Sequence, residues 1–160
     1  MHYLIDGYNL IRQVPELQAA EAESLEAGRE ALLSRLDIFR RRHPATRITV
    51  VFDGPAGVFP PAGGPAGVRV LYSRGRKADD WIKELIDASD DPGELVVVSA
   101  DREVVDYARL ARCRIQAPLP FSRRFFEVPK AADRKPLIEP KGLHRIEEEL
   151  RRRWIRKDGR

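Results

Sequence analysis

Residues 3–9 of this chain read Tyr-Leu-Ile-Asp-Gly-Tyr-Asn. The apolar run 3–5 leads directly into Asp6, and Gly7 and Asn9 follow at once. A buried strand that ends on a carboxylate, with a glycine and an amide close behind it, is more typical of a functional site than of a simple turn. The stretch therefore predicts a first β-strand that presents Asp6 at its carboxyl end.

Apolar runs meet acidic residues at three further places. Residues 48–52, Ile-Thr-Val-Val-Phe, lead into Asp53, and residues 95–100, Leu-Val-Val-Val-Ser-Ala, lead into Asp101. At the third place, the acidic pair Asp79–Asp80 opens a predicted helix. Unbroken runs of β-branched and apolar residues are typical of parallel strands that are buried on both faces.

Helical and strand patterns alternate along the chain. One helical pattern covers residues 15–42, one covers residues 78–88, and one follows Asp101. The apolar face expected for the first of these is formed by Leu25, Leu32, Leu33, Leu36 and Phe39. Strands are expected over residues 47–52, 68–72, 95–100 and 113–116. The alternation predicts an open α/β sheet of mostly parallel strands joined by right-handed crossovers.

Ligands of such sheets bind beyond the carboxyl ends of the strands. Asp6, Asp53 and Asp101 each follow such an end, so they should open onto one edge of the sheet. Asp79 shares a helical face with the isoleucines three and seven positions later, which makes it the expected inward acid. Asp80 is then expected to be the outer, lesser ligand of the two.

Clustered carboxylates need a compensating charge. Two of them about 5 Å apart repel by roughly 3 kcal/mol at an effective dielectric constant of about 20. All-oxygen ligands at a partly open site suit Mg²⁺ or Mn²⁺. The basic turn beside Asp79 contains Arg74, Arg76 and Lys77, which could hold the phosphates of a substrate.

Each acid also has a structural explanation. Asp101 stands where a helix N-cap is favoured, Asp79 and Asp80 suit the first turn of a helix, and Asp53 with the following glycine is an ordinary turn pair. Asn9 could form an Asx-turn or orient Asp6. A single acid would be better explained in this way, and the coincidence of strand-terminal acids at three strands is what favours a site.

Composition narrows the class of protein. The chain has 160 residues, enough for one domain with a sizeable core, and its one cysteine excludes an internal disulfide. Lys and Arg number 29 against 25 Asp and Glu, a modest net charge of +4. With neither a signal-peptide pattern nor an apolar run of membrane-spanning length, we expect a soluble, cytoplasmic protein without membrane contact.

Four pieces of the sequence together resemble the NYN domain of the YacP-like proteins, a branch of the PIN-like nucleases. They are Asp6-Gly7-Tyr8-Asn9, Val51-Phe52-Asp53-Gly54, Ala78-Asp79-Asp80-Trp81-Ile82 and Val97-Val98-Ser99-Ala100-Asp101. The similarity spans about residues 2–117. It implies a five-stranded parallel sheet of order 3-2-1-4-5 flanked by helices, an acidic Mg²⁺ or Mn²⁺ centre, and endonucleolytic cleavage of RNA.

The resemblance also assigns roles. The implied catalytic set is Asp6, Asn9, Asp53, Asp79 and Asp101, and the implied metal ligands are Asp6, Asp79, Asp80 and Asp101. Independently of the resemblance, the basic residues that we expect to bind RNA are Arg74, Arg76, Lys77, Arg102, Arg123 and Arg124. Single-stranded RNA is the implied partner, with mRNA on the ribosome as one context, and a homodimer is left open.

The tail differs in composition from the rest. Its prolines are Pro118, Pro120, Pro129, Pro136 and Pro140, which predict an irregular strap over residues 118–142. Residues 121–126, Phe-Ser-Arg-Arg-Phe-Phe, could stack on RNA, although such phenylalanines more often dock onto their own core. From Gly142 a stripe of apolar residues among arginines predicts a basic amphipathic helix. We expect a nuclease domain over residues 1–117 and an extension over 118–160 that belongs to the same unit.

The favoured interpretation is a metal-dependent endoribonuclease, and the residues fit three other classes less well. The first is a catalytically silent RNA- or ribosome-binding module with the same fold, although none of the family's acids is missing here. The second is a haloacid-type phosphatase, which needs a second Asp where this chain has Tyr8. A nucleotide-binding protein is disfavoured because no glycine-rich loop follows the first strand.

Overall fold

A computed structural model of the chain describes residues 1–54, 67–73 and 75–126. The strands are β1 His2–Asp6, β2 Arg47–Phe52, β3 Val68–Tyr72, β4 Leu95–Val98 and β5 Arg114–Gln116. The helices are α1 Gly7–Gln13, α2 Pro15–Glu23, α3 Leu25–Arg42, α4 Ala78–Asp87, α5 Arg102–Leu110 and α6 Pro118–Phe126, with one 3₁₀ turn at Pro92–Glu94.

The strands form one parallel sheet in the order β3-β2-β1-β4-β5, which confirms the predicted topology. The central strand β1 pairs on one side with β2 and on the other with β4, so that Ile5 lies level with Val50 and with Val98. This register brings Asp6, at the end of β1, next to the last residues of both neighbouring strands.

Helices cover both faces of the sheet. Tyr3 and Ile5 point into an apolar layer that also holds residues of α1, α2, α3 and α6, while Leu4 points into a second layer with residues of α4 and α5. Because neighbouring side chains of β1 enter opposite layers, both faces of this strand are apolar. The flanking helices of the predicted α/β fold are therefore observed on each side.

Residues 118–126 form a helix, so the expectation of an irregular strap is wrong there. Pro118 and Pro120 lie in the first turn, where the missing N–H groups have no intrahelical partner to lose. Phe121 and Phe125, four residues apart, are buried and pack against Tyr3 at ring-centroid distances of 5.6 and 5.7 Å. The phenylalanines thus dock onto the core, as the structural explanation expected.

The single helix expected over residues 15–42 is interrupted. Pro15 begins α2 after the extended Val14, and Ser24 is again extended, with φ −164° and ψ 156°. The Ser24 hydroxyl accepts the N–H of Ala27 at 2.9 Å and so caps a new helix, α3. Leu25, expected on the apolar face, consequently lies at the helix start and is 53% exposed.

Several expectations fall outside the described residues. One concerns the stretch 54–67, rich in Pro, Gly and Ala, which predicts a long loop and whose residues 55–66 lie outside the described ranges. The others concern Arg74, the strap beyond residue 126 and the basic C-terminal helix. The division of the chain at residue 117 also stays a prediction. Among the helices of the described ranges, none has the length and apolar character needed to cross a membrane.

Gly7 is the point where β1 turns into α1. A Cβ at this position would lie 2.4 Å from Cδ1 and Cε1 of Phe52 and 3.0 Å from the carbonyl oxygen of Val51. Phe52 is fully buried, so its ring has little room to move away. Glycine is therefore required here by the close approach of α1 to β2.

We expect Gly7→Ala to lower the free energy of unfolding by about 1 to 3 kcal/mol, the usual cost of overpacking a core. Urea unfolding measures the effect. Gly93→Ala is the matched control, because a Cβ there would meet only the flexible Asp91 side chain, at 3.2 Å. Equal unfolding midpoints for the two variants would contradict the close packing of Gly7 on Phe52.

Candidate active site

The acids at the carboxyl edge lean toward the α4/α5 layer. Asp6 and Asp53 stand two positions after Leu4 and Val51, whose side chains enter that layer. Ser99 stands in the same relation to Val97 at the end of β4. The alternation of side chains along a strand thus directs the polar groups of three strands to one side of one edge.

Asp6 is the most buried of these acids, with only 7% of its surface exposed. Its Oδ1 accepts the backbone N–H of Asn9 at 3.3 Å, and its Oδ2 accepts the hydroxyl of Ser99 at 3.2 Å. Burial raises the pKa of Asp6 to about 6, and repulsion from Asp79 and Asp53 adds to the rise, against the lowering effect of the two hydrogen bonds. The pKa of Asp6 therefore lies well above that of an ordinary aspartate, close to neutral pH.

Ser99 connects Asp6 to the start of α5. It is 1% exposed, donates its hydroxyl to Asp6 and accepts the N–H of Asp101 at 3.0 Å. Beside it, Oδ1 of Asn9 accepts the N–H of Ala100 at 2.7 Å. These bonds join the β1–α1 junction to the β4–α5 junction, so Asn9 acts as a brace between two strand ends.

Asp53 holds the start of α4. Its Oδ1 accepts the N–H of Ala78 at 2.7 Å and the hydroxyl of Ser73 at 3.3 Å. Lys77 is in the N-cap position of α4 but makes no side-chain capping bond. The capping group is instead Asp53, which follows β2. Ser73 is 1% exposed and also accepts the N–H of Gly54 at 3.1 Å. Asp53 thereby fixes the helix that carries Asp79.

Asp79 and Asp80 differ in environment. Asp79 is half-buried, and its pKa is raised by burial and by the negative charges of Asp101, Asp53 and Glu103. Asp80 is exposed at the surface of the same helical turn. Asp79 therefore lies within the field of the other acids, whereas Asp80 faces solvent.

Asp101 is the N-cap of α5. Its Oδ1 accepts the N–H groups of Glu103 at 2.8 Å and of Val104 at 3.4 Å. All hydrogen bonds to Asp53 and Asp101 from described residues go to one oxygen of each carboxylate. Their second oxygens, and both oxygens of Asp79, accept none within the described ranges. The edge thus offers acceptor oxygens that the fold does not use.

Asp79 interacts electrostatically with Asp6, Asp53 and Asp101, and Asp6 also interacts with Asp53. Within residues 1–54, 67–73 and 75–126, however, no three His, Cys, Asp or Glu side chains are arranged closely enough to hold one ion. None of the four forms a salt bridge with a described Lys or Arg. The donor set fits a hard divalent cation by chemistry and charge.

The basic candidates near this edge have different partners. Arg76 forms an ion pair with Glu84, and its Cζ lies 5.4 Å from the ring centroid of Trp81. Lys77 is exposed, and Arg102 is 96% exposed with a loose pair to Asp106 at 3.8 Å. Lys77 and Arg102 are therefore open to a ligand, whereas Arg76 would first have to leave its carboxylate.

Arg123 and Arg124 lie on the exposed side of α6. Cζ of Arg124 is 5.1 Å from the ring centroid of Phe125, and its charge acts on Tyr3 near the beginning of β1. Arg124 is thus toward the end of the sheet opposite Asp6, and the structure does not bring it to the acidic edge.

Sequence reasoning missed the roles of Ser73 and Ser99. Both serines directly follow an apolar strand, both are buried, and each donates its hydroxyl to an acid from a neighbouring strand. A serine at the end of a buried run is the signal that could have identified them, since a buried hydroxyl needs a partner.

The family model of the YacP-like NYN domain matches residues 3–157 of the chain. The chain belongs to the YacP-like NYN domain family. This PIN-like nuclease family supports an RNase-type function, and PIN-like nuclease domains generally use divalent metal ions. The match also runs past residue 117, where the sequence analysis expected the resemblance to end.

Solved structures of the family share the fold. The chain is similar to Rae1 (YacP) from Bacillus subtilis, with 20% identity and a TM-score of 0.65 over 98% of this chain and 80% of that one. Its W164L mutant gives 20% identity and a TM-score of 0.64 over 100% and 86% of the two chains. No curated protein sequence matches the chain.

Asp6 should make the metal-free YacP-like domain less stable as the pH rises. Its folded-state pKa of about 6 exceeds the ordinary aspartate pKa of 3.8. The contribution of Asp6 to stability is therefore complete below the lower pKa and is lost as the pH rises through the upper one. Asp6→Asn removes this loss. In EDTA, the free energy of unfolding of the variant should rise relative to that of the parent by up to about 3 kcal/mol between pH 4 and pH 7. This corresponds to roughly 1.4 kcal/mol for each unit by which the pKa is raised.

Chemical denaturation at a series of pH values gives this difference. Asp90→Asn, at an exposed position, is the control and should show little dependence of the difference on pH. A difference between Asp6→Asn and the parent that stays constant with pH would show that Asp6 is not a buried titrating group.

Proposed function

We propose that this chain is a Mg²⁺- or Mn²⁺-dependent endoribonuclease that hydrolyses phosphodiester bonds of single-stranded RNA at the carboxyl edge of its sheet. The observation that carries the proposal is the concentration of negative charge at Asp6, Asp53, Asp79 and Asp101, none of which forms a salt bridge with a Lys or Arg of the described residues. Burial and mutual repulsion both raise the pKa of Asp6, to about 6. A divalent cation would remove the repulsion.

Asp6, Asp79 and Asp101 are the proposed metal ligands, and the exposed Asp80 is an outer one. The unused oxygens of Asp79 and Asp101 support this assignment. A bound ion would neutralise charge on the scissile phosphate and help to activate the attacking water. Without an ion, mutual repulsion opposes a closer approach of the carboxylates, and among the described residues no three potential ligands form a tight group.

Other residues of the chain position this centre or bind the substrate. Asn9 braces the ends of β1 and β4 through its bond to Ala100, and Asp53 fixes the start of α4. Lys77 and Arg102, both exposed beside the acids in sequence, are the proposed phosphate contacts.

RNA is the proposed partner because the family is RNase-type. We extend the proposal to cytoplasmic mRNA associated with the ribosome as the substrate. Incubation with mRNA-loaded ribosomes and with the same mRNA alone would test this extension.

A catalytically silent RNA-binding module is the second candidate. It is favoured by the structural duties of Asp6, Asp53 and Asp101, each of which caps a helix N-terminus through one oxygen. In such a module the acids would be kept for folding, and RNA would bind without being cleaved.

Incubation of the purified protein with labelled RNA and DNA, in Mn²⁺, Mg²⁺ or EDTA, separates the two candidates. We expect internal cleavage of RNA in the presence of either metal and none in EDTA. Intact RNA that nevertheless shifts on a native gel would support the silent module. Cleavage that persists in EDTA would contradict metal dependence.

Asp79→Asn and Asp80→Asn form a matched pair, since both remove one charge from the first turn of α4. We expect Asp79→Asn to lower the cleavage rate by at least about 100-fold, because an oxygen ligand and its charge are lost at the centre. Asp80→Asn should lower the cleavage rate by less than about tenfold. Single-turnover cleavage with saturating protein measures both rates, and equal losses would refute the assignment of Asp79 as the inner ligand.

A further inference from the structure

Arg29 lies near the start of α3, at the carboxyl edge of the sheet but on the side opposite the acids. It is half-buried, and its Nη1 donates to the hydroxyl oxygen of Tyr8 at 2.8 Å. Its charge also acts on Tyr72, the last residue of β3. The guanidinium is thus held close to the carboxyl ends of β1 and β3.

Tyr8 fixes the position of this guanidinium. Tyr8 stands two residues after Asp6, is 8% exposed, and packs its ring against Phe52 at a centroid distance of 5.3 Å. Phe52 in turn directly precedes Asp53. The junctions that orient two of the acids toward α4 and α5 therefore orient the hydroxyl of Tyr8 toward α3.

Arg29 has no carboxylate partner within the described residues. The neighbouring Arg12, whose Cζ lies 5.3 Å from the Tyr8 ring centroid, is by contrast paired with Glu21 at 3.3 Å. A guanidinium has five N–H donors, and the Tyr8 hydroxyl uses one. The remaining charge and donors suit an anion with several oxygens.

We propose that Arg29, positioned by the Tyr8 hydroxyl, binds a backbone phosphate of single-stranded RNA next to the phosphate that is cleaved. The inference rests on the proposed function. An RNA strand that crosses the carboxyl edge of the sheet would meet the acids on the α4/α5 side and Arg29 on the α1–α3 side. Arginine suits this role because its planar fork can bind two phosphate oxygens at once.

Binding of a fluorescein-labelled single-stranded RNA in EDTA, followed by anisotropy at several salt concentrations, tests the proposal. Arg29→Ala should weaken binding about tenfold or more, as expected for loss of a charged hydrogen-bond pair. The slope of log affinity against log salt should become about 0.7 shallower, the share of one phosphate on a single strand. Arg41→Ala on the same helix, 78% exposed, is the control and should change affinity less than about twofold.

Two conservative variants test how Arg29 is held. Arg29→Lys should keep the salt slope while recovering only part of the affinity, because the charge remains and the fork is lost. Tyr8→Phe should weaken binding with the slope unchanged, because the ring packing remains and the positioning hydroxyl is lost. Thermal melting of each variant confirms that it is folded at the assay temperature. If Arg29→Ala is unfolded there, the Tyr8→Phe result decides.

Equal losses of RNA affinity for Arg29→Ala and Arg41→Ala would indicate a general charge effect and overturn the proposal. Unchanged RNA binding by folded Arg29→Ala, or by Tyr8→Phe, would overturn it as well. Cleavage assays of the parent keep this result separate from the proposed function. A parent that cleaves RNA, with unaffected binding by Arg29→Ala, refutes the phosphate contact alone. A parent that binds through Arg29 without cleaving supports the contact and refutes the nuclease.

Discussion

A carboxylate buried at the end of the central strand is the constraint on which the rest of the edge depends. Asp6 is 7% exposed and is repelled by the charges of Asp79 and Asp53, so its charged form is costly. The chain meets this cost with a helix N–H, a buried serine and a pKa near neutrality. The surrounding strand ends are therefore organised around a charge that they only partly satisfy.

Asp53 and Asp101 each use one carboxylate oxygen to cap a helix. Asp53 caps α4 from a neighbouring strand, and Asp101 caps the helix that it precedes, each through Oδ1. Such caps typically contribute about 1 kcal/mol. Their other oxygens accept no hydrogen bond from the described residues, so a structural role and a functional role are compatible for both acids. A loss of activity on mutation thus needs a stability measurement beside it.

The sequence was sufficient for the sheet because long-range order in a parallel α/β fold follows from local patterns. Apolar runs ending on Asp6 and Asp53 specify both strand and edge. The helix at Pro118 was not predictable by the same means, since its prolines argue against a helix unless they occupy the first turn. Contacts such as Arg29 with Tyr8, 21 positions apart, arise from how α3 packs on α1, for which no local pattern exists.

The central claim is that a divalent cation binds among Asp6, Asp79 and Asp101. Paramagnetic broadening by Mn²⁺ in a ¹H–¹⁵N spectrum of the isotopically labelled protein tests it most directly. At substoichiometric Mn²⁺, the amide signals of Gly7, Asp79 and Ala100 should broaden first, and that of Thr46 at the opposite edge should stay sharp. Broadening centred on other acidic residues, or spread evenly over the surface, would contradict the claim.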